Sequence, residues 1–262
     1  MTQQLFLLRQ FSLRAVQQRF RGSVLGWGWI IGQPLLMMAV YTTVFGVIFG
    51  GSYGGQADDS TLAYALGIFL SLTVYGVFSD VVNASPTAIL GNAIYVKKVR
   101  FPLEVLPLSS LAVPWVNLAV QLVLVLVFGV STGFLDIGGL IPSGVMLAIL
   151  LIGSAGLAFW ISALGVFFRD IQQLASVFSL VGLYASAVFY SSVDAQSAQP
   201  ELWAWLRINP LLHLVENVRG ALLFGLSVDW VGVTWSGVCA VLTLVSGVVF
   251  FRWIKSSFAD VL

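Results

Sequence analysis

Arg19-Phe20-Arg21-Gly22-Ser23-Val24-Leu25-Gly26-Trp27-Gly28-Trp29-Ile30-Ile31-Gly32-Gln33-Pro34 is where this chain changes character. Upstream, Arg9, Arg14, Arg19 and Arg21 are spaced among Leu5, Leu8, Phe11, Leu13, Val16 and Phe20. That pattern predicts an amphipathic helix over residues 4–23, lying flat with its apolar face in lipid and its guanidinium groups among the headgroups. Downstream, no charge appears until Asp58. A helix needs only about 20 apolar residues to cross the hydrocarbon core, so the run holds one span and an exit loop. Basic helix, bend at Leu25-Gly26 and proline-bearing span together form a lever joined to a membrane pillar.

The rest of the chain is as apolar as that pillar. Charged residues make up 9% of it and mean hydropathy is +0.97, against about 25% charged residues in a soluble domain. The expectation is an all-α polytopic membrane protein, one transmembrane domain over residues 1–262. Runs nearly free of charge place six spans near 27–49, 62–82, 105–130, 140–165, 171–190 and 231–251. Gly28/Gly32 and Gly46/Gly50 have the spacing that allows close helix contact. The charges are too few and dispersed for a nucleic-acid surface. The single cysteine, Cys239, lies in an apolar run and suits a buried small hydrophobe. Arginines through the N-terminal apolar stretch argue against a cleavable signal.

Orientation follows from the basic residues. Arg9, Arg14, Arg19 and Arg21, then Lys97, Lys98 and Arg100, then Arg169, then Arg252 and Lys255 account for ten of the twelve Lys and Arg. With six spans, all four groups fall on one face, which the positive-inside rule makes cytoplasmic, with both termini there. Asp58, Asp59, Asp136, Asp194, Glu201, Glu216 and Asp229 fall on the other.

Two stretches depart from plain spans. Residues 192–228 carry Trp203, Trp205, Asn209, Pro210, His213, Glu216 and Arg219. A lipid-facing span with those charges would be costly. A pair of short re-entrant outer helices fits better, because irregular backbone is tolerated where protein or a water-filled cavity covers it. His213 suits a hydrogen-bonded structural role or a pH-sensitive one. Glu216 and Arg219, three residues apart, suit a local ion pair. The loop from Asn83 to Pro107 is too long for a tight turn. It can present Tyr95 and apolar neighbours to a partner while its lysines face lipid headgroups, or simply set topology.

No phosphate-cradling Gly-x-x-x-x-Gly-Lys-Ser/Thr run is present. No set of His, Cys, Asp and Glu has metal-ligand spacing. No catalytic residues are assigned, and transport against a gradient would need energy from another chain. Within the spans, Gln33, Asn117 and Gln121 are the notable polar groups. Asn117 and Gln121 share a helical face, to line a pathway or to bridge helices.

Several motifs in order carry a family resemblance. Arg19 to Trp29, then Gln33-Pro34, then Tyr41-Thr42-Thr43-Val44-Phe45 resemble the permease subunit of type-2 ABC exporters of bacterial polysaccharides. Lys97 to Pro107 and Phe167-Phe168-Arg169-Asp170-Ile171 resemble that family's second and third cytoplasmic loops. Asn209-Pro210-Leu211 followed by Arg219 resembles its outer gate helices, and Phe258-Ala259-Asp260-Val261 its ending. O-antigen export permeases are the nearest likeness, with capsule and teichoic-acid permeases close by. The stretch from Ser192 to Gln199, rich in Ala, Ser and Gln, departs from the pattern.

The resemblance implies a homodimer in a bacterial inner membrane, working with two copies of a separate ATPase that holds ATP and magnesium. The cargo would be a polyprenyl-diphosphate-linked glycan. Contacts to the ATPase would come from Asn92, Tyr95, Lys97, Lys98, Arg100, Arg169 and Asp170. Arg14, Arg19, Arg21, Leu25 and Gly26 would form the lever and hinge. Trp27, Trp29, Tyr41, Tyr184, Phe189 and Tyr190 are candidates to line the path, since sugar C–H faces slide on aromatic rings. The same rings suit an interfacial belt. Trp203, Trp205, Asn209, Pro210 and His213 would form the outer gate. Other readings stay open: a drug or small-lipid exporter of the same class, a passive channel, or a membrane enzyme on a lipid-linked sugar using Asp80, Glu104 or Asp170.

Overall fold

A computed structural model describes residues 2–20, 22, 24–48, 61–98 and 101–261. Among these no strand occurs; the chain is a helical bundle. Four helical stretches are long and apolar enough to cross a membrane: Thr61–Thr87, Val105–Thr132, Ile137–Phe167 and Trp230–Ser257.

The bundle is organised around α3 (Thr61–Ala84). Its most apolar stretch is 72% buried, against 17–33% for the other three. So α3 is enclosed, and the others leave much of their surface uncovered within the chain. The N-terminal basic segment is α1 (Thr2–Phe20). A 3-10 turn at Gly26–Gly28 leads into α2 (Trp29–Tyr41), which continues as a π-helix over Thr42–Ile48. After α3, two 3-10 turns, Ser85–Thr87 and Leu90–Asn92, lead to α4 (Ala93–Lys98).

The third expected span is broken into α5 (Val105–Ser110) and α6 (Ala112–Thr132). Pro114 explains the break. It has no N–H to give to the Ser110 carbonyl, so the ladder cannot run through Leu111. A 3-10 turn, Ile137–Gly139, which Asp136 caps by accepting from Gly138 N at 2.9 Å, leads into α7 (Leu140–Phe167).

Helix α8 (Ile171–Ala185) is shorter than the expected span to Tyr190. At 1.5 Å per residue its 15 residues reach about 22 Å, short of the roughly 30 Å hydrocarbon core. The chain then turns, with Ala187 and Val188 fully buried. Three short helices follow: α9 (Ser192–Ala198), α10 (Pro200–Leu206) and α11 (Pro210–Leu223). The chain closes with α12 (Trp230–Ile254) and α13 (Phe258–Val261).

Glycine makes close packing possible within the bundle; Gly50, of the Gly46/Gly50 pair, lies outside the described residues. Gly28 and Gly32 meet only Leu25 and Trp29, their own helical neighbours. The tight approach is between α7 and α12. A Cβ on Gly156 would strike the backbone of Thr243 and Leu244, and one on Gly247 would strike the Gly156 carbonyl. Trp160 seals that seam by stacking on Phe250 at 4.3 Å and donating to Ser246 Oγ at 3.0 Å.

Candidate transport pathway and coupling surface

The basic segments converge on one end of the bundle. Phe11 of α1 meets Tyr95 of α4 at 5.1 Å and Phe101 at 5.3 Å, and Tyr95 meets Phe101 at 5.2 Å. Three rings thus tie α1 to the loop that follows α3. Ile89 is fully buried against Phe159, Val166, Phe251 and Phe258, which seats the loop on α7 and the C-terminal helices. Gly165 lets the Pro86 carbonyl lie directly on α7; a Cβ there would collide with it. Glu104 accepts from Lys255 Nζ at 2.7 Å, with Arg252 Nε at 4.0 Å, and so ties the loop to the C-terminal tail.

The coupling candidates divide accordingly. Tyr95 turns its ring inward on Phe11 and Phe101, while neighbouring Ile94 is 67% exposed. Lys97, Arg169 and Asp170 are exposed, the last two in the turn between α7 and α8. Asn92 donates to the Ala88 carbonyl at 2.9 Å and so shapes the loop from within. The Lys98 side chain and Arg100 lie outside the described residues, as do Arg21, Asp58 and Asp59. Arg14 and Arg19 are exposed on α1, and Leu25 is exposed at the bend. Gly22 and Gly26 take φ of +87° and +49°. These left-handed positions suit glycine, so the bend expected at Leu25-Gly26 rests on backbone that other residues rarely adopt.

The aromatic candidates also separate. Trp27, Trp29 and Tyr184 are exposed. Tyr41 and Phe189 pack instead on Tyr64 and Ile68 of α3. Tyr190 donates to the Tyr184 carbonyl at 2.9 Å. Trp29 and Tyr41 share a cavity of about 310 Å3 with Gln33, Asp80, Asn117 and Gln121. There Asn117 Nδ2 donates to Asp80 Oδ2 at 3.0 Å. The amides that share a face of α6 are thereby brought to an acid 37 residues upstream.

At the opposite end the structure spends its polar groups on backbone. Asn209 caps α11 by accepting from Leu211 N at 3.0 Å, with Pro210 next. Its amide donates to the Ala185 carbonyl at 3.0 Å and to Ser186 Oγ at 3.1 Å. Arg219 is 3% exposed. Its guanidinium donates to the carbonyls of Ala187 at 2.8 Å and Tyr190 at 3.2 Å, and to Ser71 Oγ at 3.0 Å. These bonds hold a turn in which Ala187 takes φ +52°, a conformation costly without a glycine. Glu216 accepts from Ser192 N at 2.7 Å, at the start of α9. His213 Nε2 lies 2.8 Å from the Arg207 carbonyl and Nδ1 lies 3.8 Å from Asp229. Trp203 lines a pocket with His213 and Glu216, whereas Trp205 is 76% exposed.

Two residues gain importance from the structure. Arg219 pins an entire turn, and an arginine among the leucines and valines of Leu211–Leu223 was the available signal. Asp80 faces a polar cavity across two other helices, and nothing local in sequence pointed to that pairing.

Comparison with known proteins follows the same lines. The sequence pattern of the ABC-2 type transporter family matches residues 7–223. The O-antigen export system permease protein RfbA of Myxococcus xanthus is 29% identical over 215 residues, covering 81% of this chain and 78% of that protein. The protein of the same name from Klebsiella pneumoniae is 25% identical over 98% of this chain and 95% of its own length. The polysialic acid transport protein KpsM of Escherichia coli is 22% identical over 92% of this chain and 90% of its own.

Proposed function

Because the chain belongs to the ABC-2 type transporter family, we propose that it is the membrane-spanning subunit of an ATP-driven polysaccharide exporter. The cargo is a polyprenyl-diphosphate-linked glycan of the O-antigen type, carried from the cytoplasm across a bacterial inner membrane. Likeness along nearly the whole chain to permeases named for O-antigen and for polysialic acid carries this reading.

In this reading two copies of the chain face each other, and two copies of a separate ATPase, which holds ATP and magnesium, dock on the inner ends. Six spans result when α2 with its π-helical continuation and the short α8 join the four long helical stretches. Helices α9 to α11 then dip in from the outer face. The convergence of α1, the loop around α4, the Arg169-Asp170 turn and the C-terminal tail supports a single coupling surface. A push on the exposed Ile94–Lys97 edge would reach α1 through Phe11 and Phe101. Trp27, Trp29 and Tyr184, exposed on α2 and α8 or just before them, are suited to face the glycan.

Co-purification with an ATPase chain, followed by the double substitution Lys97→Glu, Arg100→Glu, tests the proposal. The expected result is a complex in which ATP hydrolysis no longer drives glycan export. Unaltered coupling would remove this loop from the contact.

A further inference from the structure

One cleft in the bundle, with Arg19, Trp29 and Gln33 on its exposed side, departs from its apolar surroundings. It lies among α1, α2, α3 and α6 and measures about 310 Å3. Asp80 enters from α3, Gln33 from α2, and Asn117 and Gln121 from α6. An ionisable group in an otherwise apolar helix is expensive and is kept where it has work to do.

The hydrogen bonding is only partly used up. Asn117 to Asp80 is the one side-chain hydrogen bond joining these four residues among the described residues. The second Asp80 oxygen and the amides of Gln33 and Gln121 have no hydrogen-bond partner among them. A cluster present only to fasten helices would spend these groups on one another. Left open are a charged acceptor and two amides, each able to donate and accept at once. Trp29 and Tyr41 add ring faces to the same wall.

The chemistry selects its ligand class. Lipid tails would leave the carboxylate and amides unsatisfied. A metal ion would want more acids, and Asp80 is the one acid among the lining residues. Arg19 also lines the cavity, so Asp80 adds no net charge for a neutral guest to offset. Adjacent hydroxyls flanking a C–H face satisfy every group present. The volume sits at the small end of ligand cavities, which run from about 300 to 1,000 Å3, and so admits a single ring.

We propose that this cavity is a subsite for one sugar ring of the cargo, built within a single protomer. Asp80, Asn117, Gln33 and Gln121 take its hydroxyls, and Trp29 and Tyr41 take its C–H face. The inference rests on the export reading above and adds a fixed station beside a path on which glycan otherwise slides. Charge-assisted hydrogen bonds are about twice as strong as neutral ones, which makes Asp80 the main holder.

Inverted membrane vesicles containing the permease, its ATPase and the source cell's own polyprenyl-diphosphate-linked glycan provide the test. A photo-reactive benzoylphenylalanine replaces Met37, which lines the cavity without being one of the holders. Capture is read as a periodate-sensitive mobility shift, and ATP-dependent export is measured on the same vesicles. The expected result is capture at Met37 that falls about tenfold with Asp80→Asn and about fivefold with Gln121→Leu. Should either variant fail to fold, capture in the otherwise unaltered protein decides. Export without capture at Met37, or capture indifferent to both substitutions, overturns the subsite and leaves the export reading standing. Neither export nor capture overturns both.

Discussion

The two ends of the bundle are held together by different physics. At the end that gathers the basic segments, side chains meet side chains: Phe11 with Tyr95 and Phe101, Glu104 with Lys255 and Arg252. At the other end side chains meet backbone: Arg219 and Asn209 fasten the turn after α8, and Glu216 fastens the start of α9. Ring edges and partly exposed ion pairs tolerate sliding. A guanidinium spread over several carbonyls fixes one shape. The first end suits a joint that is pushed, and the second a cap that holds its form until the helices beneath it move.

The sharpest way to break this contrast is at Arg219. Arg219→Leu strips the buried turn of its donors and leaves Ala187 in a strained conformation. A buried carbonyl left without its donor costs about 1–3 kcal/mol, and Arg219 serves more than one, so thermal unfolding in detergent should show a large loss. Arg219→Lys should recover little, since an ammonium cannot reproduce the guanidinium fork. A small loss in Arg219→Leu would mean that the outer turn is held by packing alone.

Gly156→Val comes next. The new side chain meets the α12 backbone, and overpacking of this kind costs about 1–3 kcal/mol. Gly32→Val on α2 meets no other helix and should leave unfolding nearly unchanged. Equal effects at the two glycines would contradict the close backbone approach of α7 and α12.

Smaller effects are expected at the inner joint. Phe11→Leu keeps apolar bulk but loses ring pairing, about 0.5–1.5 kcal/mol. Its clearer signature is faster cleavage of the α1–α2 connection by added protease.

The Glu104 contact carries a pH signature. Burial pushes its carboxyl up, but the Lys255 hydrogen bond and the Lys255 and Arg252 charges outweigh that and hold it below the ordinary 4.5. A lowered acid adds stability that is complete above its unfolded value and lost as pH falls through the folded one. Protease protection of the C-terminal tail should therefore fade below about pH 4.5. Glu104→Gln should show weak protection at every pH, and a tail equally protected in that variant would show the contact to be idle. A partly exposed pair contributes at most about 1 kcal/mol.

Much of this architecture could be read from the chain. Runs nearly free of charge marked α3, α7 and α12 closely, because an uninterrupted helix needs little besides apolar residues. The α5–α6 break was missed although Pro107 and Pro114 were visible, since a proline is tolerated at some helix positions and disruptive at others. The gathering of basic segments was foreseeable from topology alone. What joins them was not: Phe11 is far in sequence from Tyr95 and Phe101, and rings in a membrane protein have many uses. The Asp80–Asn117 cavity was illegible for the same reason. Its polar groups come from three helices, and spacing along one helix reveals only the pair Asn117 and Gln121.

The most direct measurement is ATP-dependent movement of polyprenyl-diphosphate-linked glycan in sealed vesicles, with this chain alone and with its ATPase. The expected result is no movement against a gradient from the chain alone, and movement that requires ATP once the companion is added. Uphill glycan movement by the isolated chain would contradict a passive conduit driven from its inner surface.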